Sequence, residues 1–233
     1  MLSTLLRSVP AGVTAAFLAA VVAMNFLARY TLVSLPYLAL NAGIFVSWVT
    51  FLLMDVVTRH YGARAANILS LLAVAVNLAY TLVCLVISRI WSYPALDSFV
   101  GGQWSILLAS TIAYIASALA NNGLNELIGT LFRNDPDGKA AFAARSYGST
   151  LLSQIVDNFL FVWLAFVVFP NIPGALPVRW TMAQCIGCSL TCAMFELATE
   201  IVFSPIGYYV VKKWRAEGIG REYISKYCPH GAV

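Results

Sequence analysis

Residues 65–88 read AANILSLLAVAVNLAYTLVCLVIS, 24 positions without a charge between Arg64 and Arg89. About 20 consecutive apolar residues cross a hydrocarbon core about 30 Å thick. Lipid offers backbone N–H and C=O groups no partner, so such a stretch must satisfy them within its own helix. The same pattern repeats outward along the chain. Charge-free intervals also separate Arg7 from Arg29, Arg29 from Asp55, Asp97 from Glu126 and Asp157 from Arg179. The alternation of a barrel strand is absent. Six helical spans are therefore predicted, over about residues 10–28, 36–58, 65–88, 102–132, 146–169 and 180–211. Together they make one all-α integral membrane domain covering 1–233, with the fourth and sixth spans long enough to tilt or kink. The composition agrees: 61% of residues are hydrophobic and 10% charged, against about 25% charged in soluble domains. A soluble enzyme, a disordered tail and a disulfide scaffold are excluded.

The basic residues sort by alternate loops. Arg7, Arg59, Arg64, Arg133, Lys139, Arg145 and the five after Val211 fall on one side, 11 of 14. Arg29, Arg89 and Arg179 fall on the other. By the positive-inside rule both termini are expected in the cytoplasm. The net charge of +4 is mostly topology and needs no nucleic-acid partner, with Lys212, Lys213 and Arg215 adding attraction to anionic membrane lipid. Arg7 ahead of an Ala/Val-rich run resembles a signal peptide, but five further spans favour a retained first helix.

Polar residues inside the spans carry the functional information, because a charge in the bilayer costs at least about 2.5 to 3.5 kcal/mol and usually marks a pathway or site. On the second span Asn41, Phe45, Trp48, Leu52, Asp55 and Arg59 recur at helical spacing and form one stripe. Tyr147, Thr150, Gln154, Asp157 and Phe161 do so on the fifth, with Asn158 beside them. The fourth offers Asn121, Asn122, Asn125 and Glu126, the sixth Glu196 and Glu200, and the third Asn77 and Thr81. At about 1.5 Å per residue, Asp157 and Glu196 fall at one level near mid-membrane, and Asp55 nearer the cytoplasm. Asp55 and Arg59 read as a gate or an ordinary ion pair. Gln154, Asp157 and Glu196 with the aromatics Phe45 and Trp48 read as a binding cavity rather than helix glue. A carboxylate beside an amide and an aromatic face suits a flat heterocycle with adjacent N–H donors and a carbonyl, as in a guanine-like base. The same residues suit a proton-coupled site, since a carboxylate out of water can carry a proton.

Three stretches resemble a known family. Phe51 to Ala66, FLLMDVVTRHYGARAA, is similar to the F-x-x-x-D-x-x-x-R-x-[YF]-G-x-x-x-A signature of the queuosine precursor transporter family, also called the vitamin-uptake-like family. Ser149 to Phe161 resembles its fifth-helix S-x(7)-D-[ST]-x-x-F region, with Asn158 at the Ser/Thr position. Glu200 to Tyr208, EIVFSPIGY, resembles the E-[VI]-x-x-[TS]-P-x-x-Y close of the sixth helix. The resemblance implies import of 7-deazaguanine precursors of queuosine, preQ0 or preQ1, across the bacterial inner membrane. It also implies a fold similar to the six-helix substrate-binding component of energy-coupling-factor transporters. It marks Asp55, Arg59, Gly62, Asp157, Glu200 and Pro205. Where the family often has Gln-x-x-Asp this chain has Asn122-Gly-Leu-Asn125, and Glu196 stands where a Lys is common. Asn125 and Glu196 are accordingly expected to meet as an amide and a carboxylate.

Two features have bland explanations beside functional ones. Ala11, Ala15, Ala19 and Ala23 form a small-residue stripe on the first span, suited to helix packing or to docking a coupling subunit or a second copy. Cys185, Cys188 and Cys192 follow helical spacing and read as small buried residues, not metal ligands. No phosphate loop, HExxH or Gly-x-Ser-x-Gly motif occurs. No cofactor or metal is expected, and a carrier is favoured over a coupled substrate-binding subunit and over an intramembrane enzyme using Asp157 and Glu196.

Overall fold

The structure, a computed structural model, describes residues 1–91, 101–131 and 149–227 and is mostly helical. Its helices are α1 (Leu2–Ser8), α2 (Ala11–Leu27), α3 (Ile44–Tyr61), α4 (Ala63–Trp91), α5 (Gln103–Leu131), α6 (Ser149–Trp163), α7 (Met182–Glu217) and α8 (Arg221–Tyr227). Among the described residues three segments are long and apolar enough to cross a membrane: Ala63–Ile87, Leu151–Asn171 and Met182–Phe203. The bent pair α1 and α2 makes a fourth if counted as one span.

Local chemistry sets the breaks. Val9 is extended and Pro10 caps α2, so the chain turns by 110° between α1 and α2. Gly62 ends α3 at φ 84°, a backbone region that glycine enters without a Cβ penalty. The start of α7 is a reciprocal capping box. The Thr181 N–H donates to Gln184 Oε1 at 2.8 Å, and the Gln184 N–H to Thr181 Oγ1 at 3.2 Å. After Trp163 the helix widens into a π turn over Leu164–Val168 and tightens into a 3₁₀ turn over Phe169–Asn171.

One expectation is corrected. The charge spacing places the start of the second span at Pro36, but the chain forms an antiparallel hairpin there, β1 (Thr31–Ser34) with β2 (Ala39–Asn41), and α3 starts only at Ile44. Pro36 supplies no N–H and fixes a turn-like φ. Leu35 and Leu38 exchange backbone hydrogen bonds around Pro36-Tyr37. Asn41 therefore closes a strand and does not share the helical stripe of Phe45 and Trp48.

The described chain divides into two compact units: Met1–Ala28 with Ala42–Asp97 and Ala198–Val233, and Arg29–Asn41 with Ser98–Leu197. In the first, Leu5, Val57, Tyr61, Leu69, Trp214 and Tyr223 belong to one buried cluster. On α4 the small Ala65, Ala66 and Ala73 are buried while Leu71, Leu78, Leu82 and Val86 are exposed. Small residues inward and large aliphatics outward is the pattern of a helix in lipid, where the hydrophobic effect does not drive helices together.

In the second unit α5 and α6 are the most extensively packed pair. The hairpin is tied to the start of α7, with Gln184 Nε2 donating to the Leu35 carbonyl at 2.8 Å and Trp180 Nε1 to Thr31 Oγ1 at 3.3 Å. Trp180 also stacks on Phe166, ring centroids 4.2 Å apart, which anchors the π turn. The first part of α7 repeats the inversion of α4: Cys185, Cys188 and Cys192 are buried while Ile186, Leu190 and Met194 are exposed. The cysteines thus occupy the small-residue face.

Candidate functional site

The second unit gathers four polar side chains from α6 and α7. Gln154, Asp157 and Asn158 lie within one turn of α6, so their side chains share a helix face. Gln154 is 7% exposed and Glu196, on α7, 4%. The link between the helices is Asn158. Its Nδ2 donates to Glu196 Oε2 at 2.9 Å and to the Gln154 backbone carbonyl at 2.9 Å, which uses both amide hydrogens. Asp157 Oδ1 accepts from Ser117 Oγ on α5 at 3.0 Å; that hydroxyl's single proton is shared with the Tyr114 carbonyl at 3.0 Å. Asp157 keeps acceptor capacity beyond this bond, since a carboxylate has about four lone-pair sites. Gln154 Oε1 is sealed from solvent with no hydrogen-bond partner. A buried amide oxygen left unpaired costs about 1 to 3 kcal/mol, so its place beside Asp157 calls for a donor.

Gln154, Asp157 and Glu196 are candidate site residues from the sequence alone; Asn158 and Ser117 join them as site residues only in the structure. Asn158 stands in the sequence beside the fifth-span stripe and as a departure from Ser/Thr, and Ser117 gives no signal, because which side chains meet across two helices depends on their rotation and register. Asn158 donates to Glu196, whereas Asn125, the amide expected to meet it, has its side chain outside the described residues. The side chains of Asn121, Asn122, Asn125, Asp55 and Glu200 lie outside the described residues.

The remaining described candidates lie on β2, on α3, at the α3–α4 junction and on α7. Asn41 is buried at the end of β2, in the same unit as the cluster. Phe45 and Trp48 belong to the first unit. Phe45 is 66% exposed, and one face of Trp48 is taken by Phe203, stacked at 4.6 Å and 17°. Trp48 Nε1 donates back to the Phe45 carbonyl at 3.0 Å, which fixes the indole on its own helix. The backbone carbonyl of Arg59 accepts from Arg215 Nη2 at 3.1 Å. Gly62 makes the sharp passage from α3 to α4, and Pro205, exposed within α7, cannot give the Ile201 carbonyl its helical hydrogen bond.

These are buried acids and amides on apolar helices, in a chain whose residues 41–210 match the family described as "putative vitamin uptake transporter". The chain belongs to this family. The membership bears out the resemblance carried by the Phe51–Ala66, Ser149–Phe161 and Glu200–Tyr208 stretches. A vitamin uptake family is one of transporters, and with its apolar helices the chain is a multi-pass membrane protein. No curated protein and no solved structure matches the chain.

Proposed function

We propose that this protein imports a planar, nucleobase-like solute, a 7-deazaguanine precursor of queuosine such as preQ0 or preQ1, through six spans with both termini in the cytoplasm of a bacterial inner membrane. The observation that carries the reading is the orphan Gln154 Oε1 beside Asp157, on a helix joined to Glu196 through Asn158. Asp157 accepts a ring N–H and an exocyclic amine in parallel. Gln154 contributes a further acceptor, and Asn158 holds Glu196 in place. Charge-assisted hydrogen bonds of this kind are about twice as strong as neutral ones and fix the orientation of a planar edge. Family membership supports uptake; the acceptor-rich cluster supports the donor-bearing heterocycle.

The test is a bacterium unable to make preQ0 and lacking its own importer, given this chain and external preQ0 or preQ1, with queuosine in tRNA as the readout. Rescue by the chain alone is the expected result. Absence of rescue with verified membrane insertion counts against the reading.

A second reading is a substrate-binding subunit that works with a coupling protein. It is favoured by one observation: Ala11, Ala15 and Ala19 are exposed along α2, leaving a small-residue face open to another helix. Rescue only when a coupling partner is co-expressed distinguishes it.

A further inference from the structure

The proposed transport site leaves a buried histidine of the first unit unused. His60, at the end of α3, is 2% exposed, and its Nε2 lies 2.9 Å from the Ile219 carbonyl. A carbonyl only accepts, so Nε2 carries the proton and Nδ1 is bare. Nδ1 is sealed from solvent with no hydrogen-bond partner. The ring stands edge-on to Tyr61 at 4.6 Å and to Trp214 at 5.3 Å.

The neighbouring Tyr61 holds a second segment. Its hydroxyl donates to the Ser8 carbonyl at 2.6 Å, at the end of α1. Gly220, at φ 74°, passes so close to the Tyr61 ring that a Cβ there would overlap it. Arg7 of α1 and Glu222 of α8 pair at 3.5 Å. Two consecutive residues of α3 thus hold both chain ends, one through the turn 218–220 and the other through α1. Beside them lies an open cleft of about 500 Å³ lined by residues 6–11 and 218–222, room into which the turn can move.

We propose that His60 is a proton-operated latch: its neutral ring holds the turn 218–220 and α8 against the end of α3, and a second proton releases them. That proton has only Nδ1 to enter, where no acceptor waits. Among the described side chains, the charged and titratable groups of the segments around it are Arg59 and Tyr61 on α3, Lys212, Lys213, Arg215 and Glu217 at the end of α7, Arg221, Glu222, Tyr223, Lys226 and Tyr227 on α8, Arg7 on α1 and Arg64 on α4, the Asp55 side chain lying outside the described residues. The two carboxylates among them are engaged, Glu217 by Lys213 at 3.8 Å and Glu222 by Arg7. An imidazolium here would therefore face mostly positive charge and aromatic rings.

Burial first, and Arg215 with it, hold the imidazole below its ordinary value of 6.5, against the opposing pull of the Ile219 carbonyl. The released form, with an ordinary imidazole, takes up the proton first. The latch is then fully closed above pH 6.5 and loses hold as pH falls from 6.5 toward the lower value of the closed form. A single proton limits the change in the opening equilibrium to about tenfold per pH unit.

The experiment uses the full chain in detergent micelles, with hydrogen exchange read at the Gly218, Ile219, Tyr223 and Ile224 amides and corrected for intrinsic rates. These amides donate to Arg215, Trp214 and Gly220 carbonyls in the closed tail. Their exchange is expected to rise up to about tenfold per pH unit below 6.5 while α5 amides stay level. His60→Gln, whose amide still donates to Ile219, keeps the tail closed and flattens the response. A wild-type tail with no response between pH 7.5 and 5.5, or an unchanged response in His60→Gln, overturns the latch. Should that variant not fold, His230→Gln leaves His60 as the single histidine. Its imidazole ¹⁵N signal must then titrate below 6.5 in step with exchange, and titration at or above 6.5 overturns the proposal.

Discussion

The polar cluster around Asn158 and the aromatic cluster around His60 are both buried, yet they spend their polar atoms differently. In the His60 region side chains close on backbone carbonyls: His60 on Ile219, Tyr61 on Ser8, Arg215 on Arg59. Those bonds fasten one segment to another, and aromatic rings pack around His60 and Tyr61. In the Asn158 region side chains meet side chains, Asn158 on Glu196 and Ser117 on Asp157, and an amide oxygen is left over. Backbone-directed bonds build a fastening; side-chain networks with spare acceptors build a place for a ligand.

This contrast is most sharply broken at Asp157. Asp157→Asn keeps the size of the side chain and removes its charge. A hydrogen bond to a charged group is worth about 1.5 to 3 kcal/mol, so uptake at limiting solute is expected to fall about tenfold to a hundredfold with the protein still folded. Initial uptake rates beside a size-exclusion profile measure it, and full uptake would dissolve the distinction between the regions. Gly220→Ala attacks the other region. A Cβ at positive φ and against the Tyr61 ring is expected to lower thermal stability by about 2 kcal/mol, within the range for strained backbone. Thermal unfolding reports this, and transport by the protein that stays folded should be spared.

Asn158→Ala removes a donor to Glu196. Interhelical hydrogen bonds in membranes average about 0.6 kcal/mol with a maximum near about 1.7, so a loss of about 1 kcal/mol is expected. Its effect on uptake should exceed its effect on stability, which a paired uptake and unfolding measurement resolves. The smallest effect is expected at Trp48→Phe, which keeps an aromatic on Phe203 and loses one bond to the Phe45 carbonyl, about 0.5 kcal/mol by unfolding. A large loss of uptake there would assign Trp48 to the ligand.

Helix positions were legible because a residue such as Leu78 must avoid charge wherever it faces lipid. Gly62 was legible through its motif, and its positive φ supplies the reason. The Thr31–Asn41 hairpin was not legible. An apolar run ahead of α3 reads as more helix unless Pro36 is given the weight of a turn, and the strand pairing that confirms it is non-local. The capping box Thr181-x-x-Gln184 stood in the sequence and marks the start of α7 to within a residue.

Composition, charge spacing and three short motifs by themselves determined that this is a helical membrane protein of an uptake family, and that Gln154, Asp157 and Glu196 are among the polar groups to explain. Those are properties of each segment and its solvent, which a linear pattern records. Only the tertiary structure decided that Asn158 donates to Glu196, that Ser117 holds Asp157, and that His60 closes on Ile219, 159 residues away. Such pairings depend on how helices rotate and slide against each other, which a period along one chain leaves undetermined.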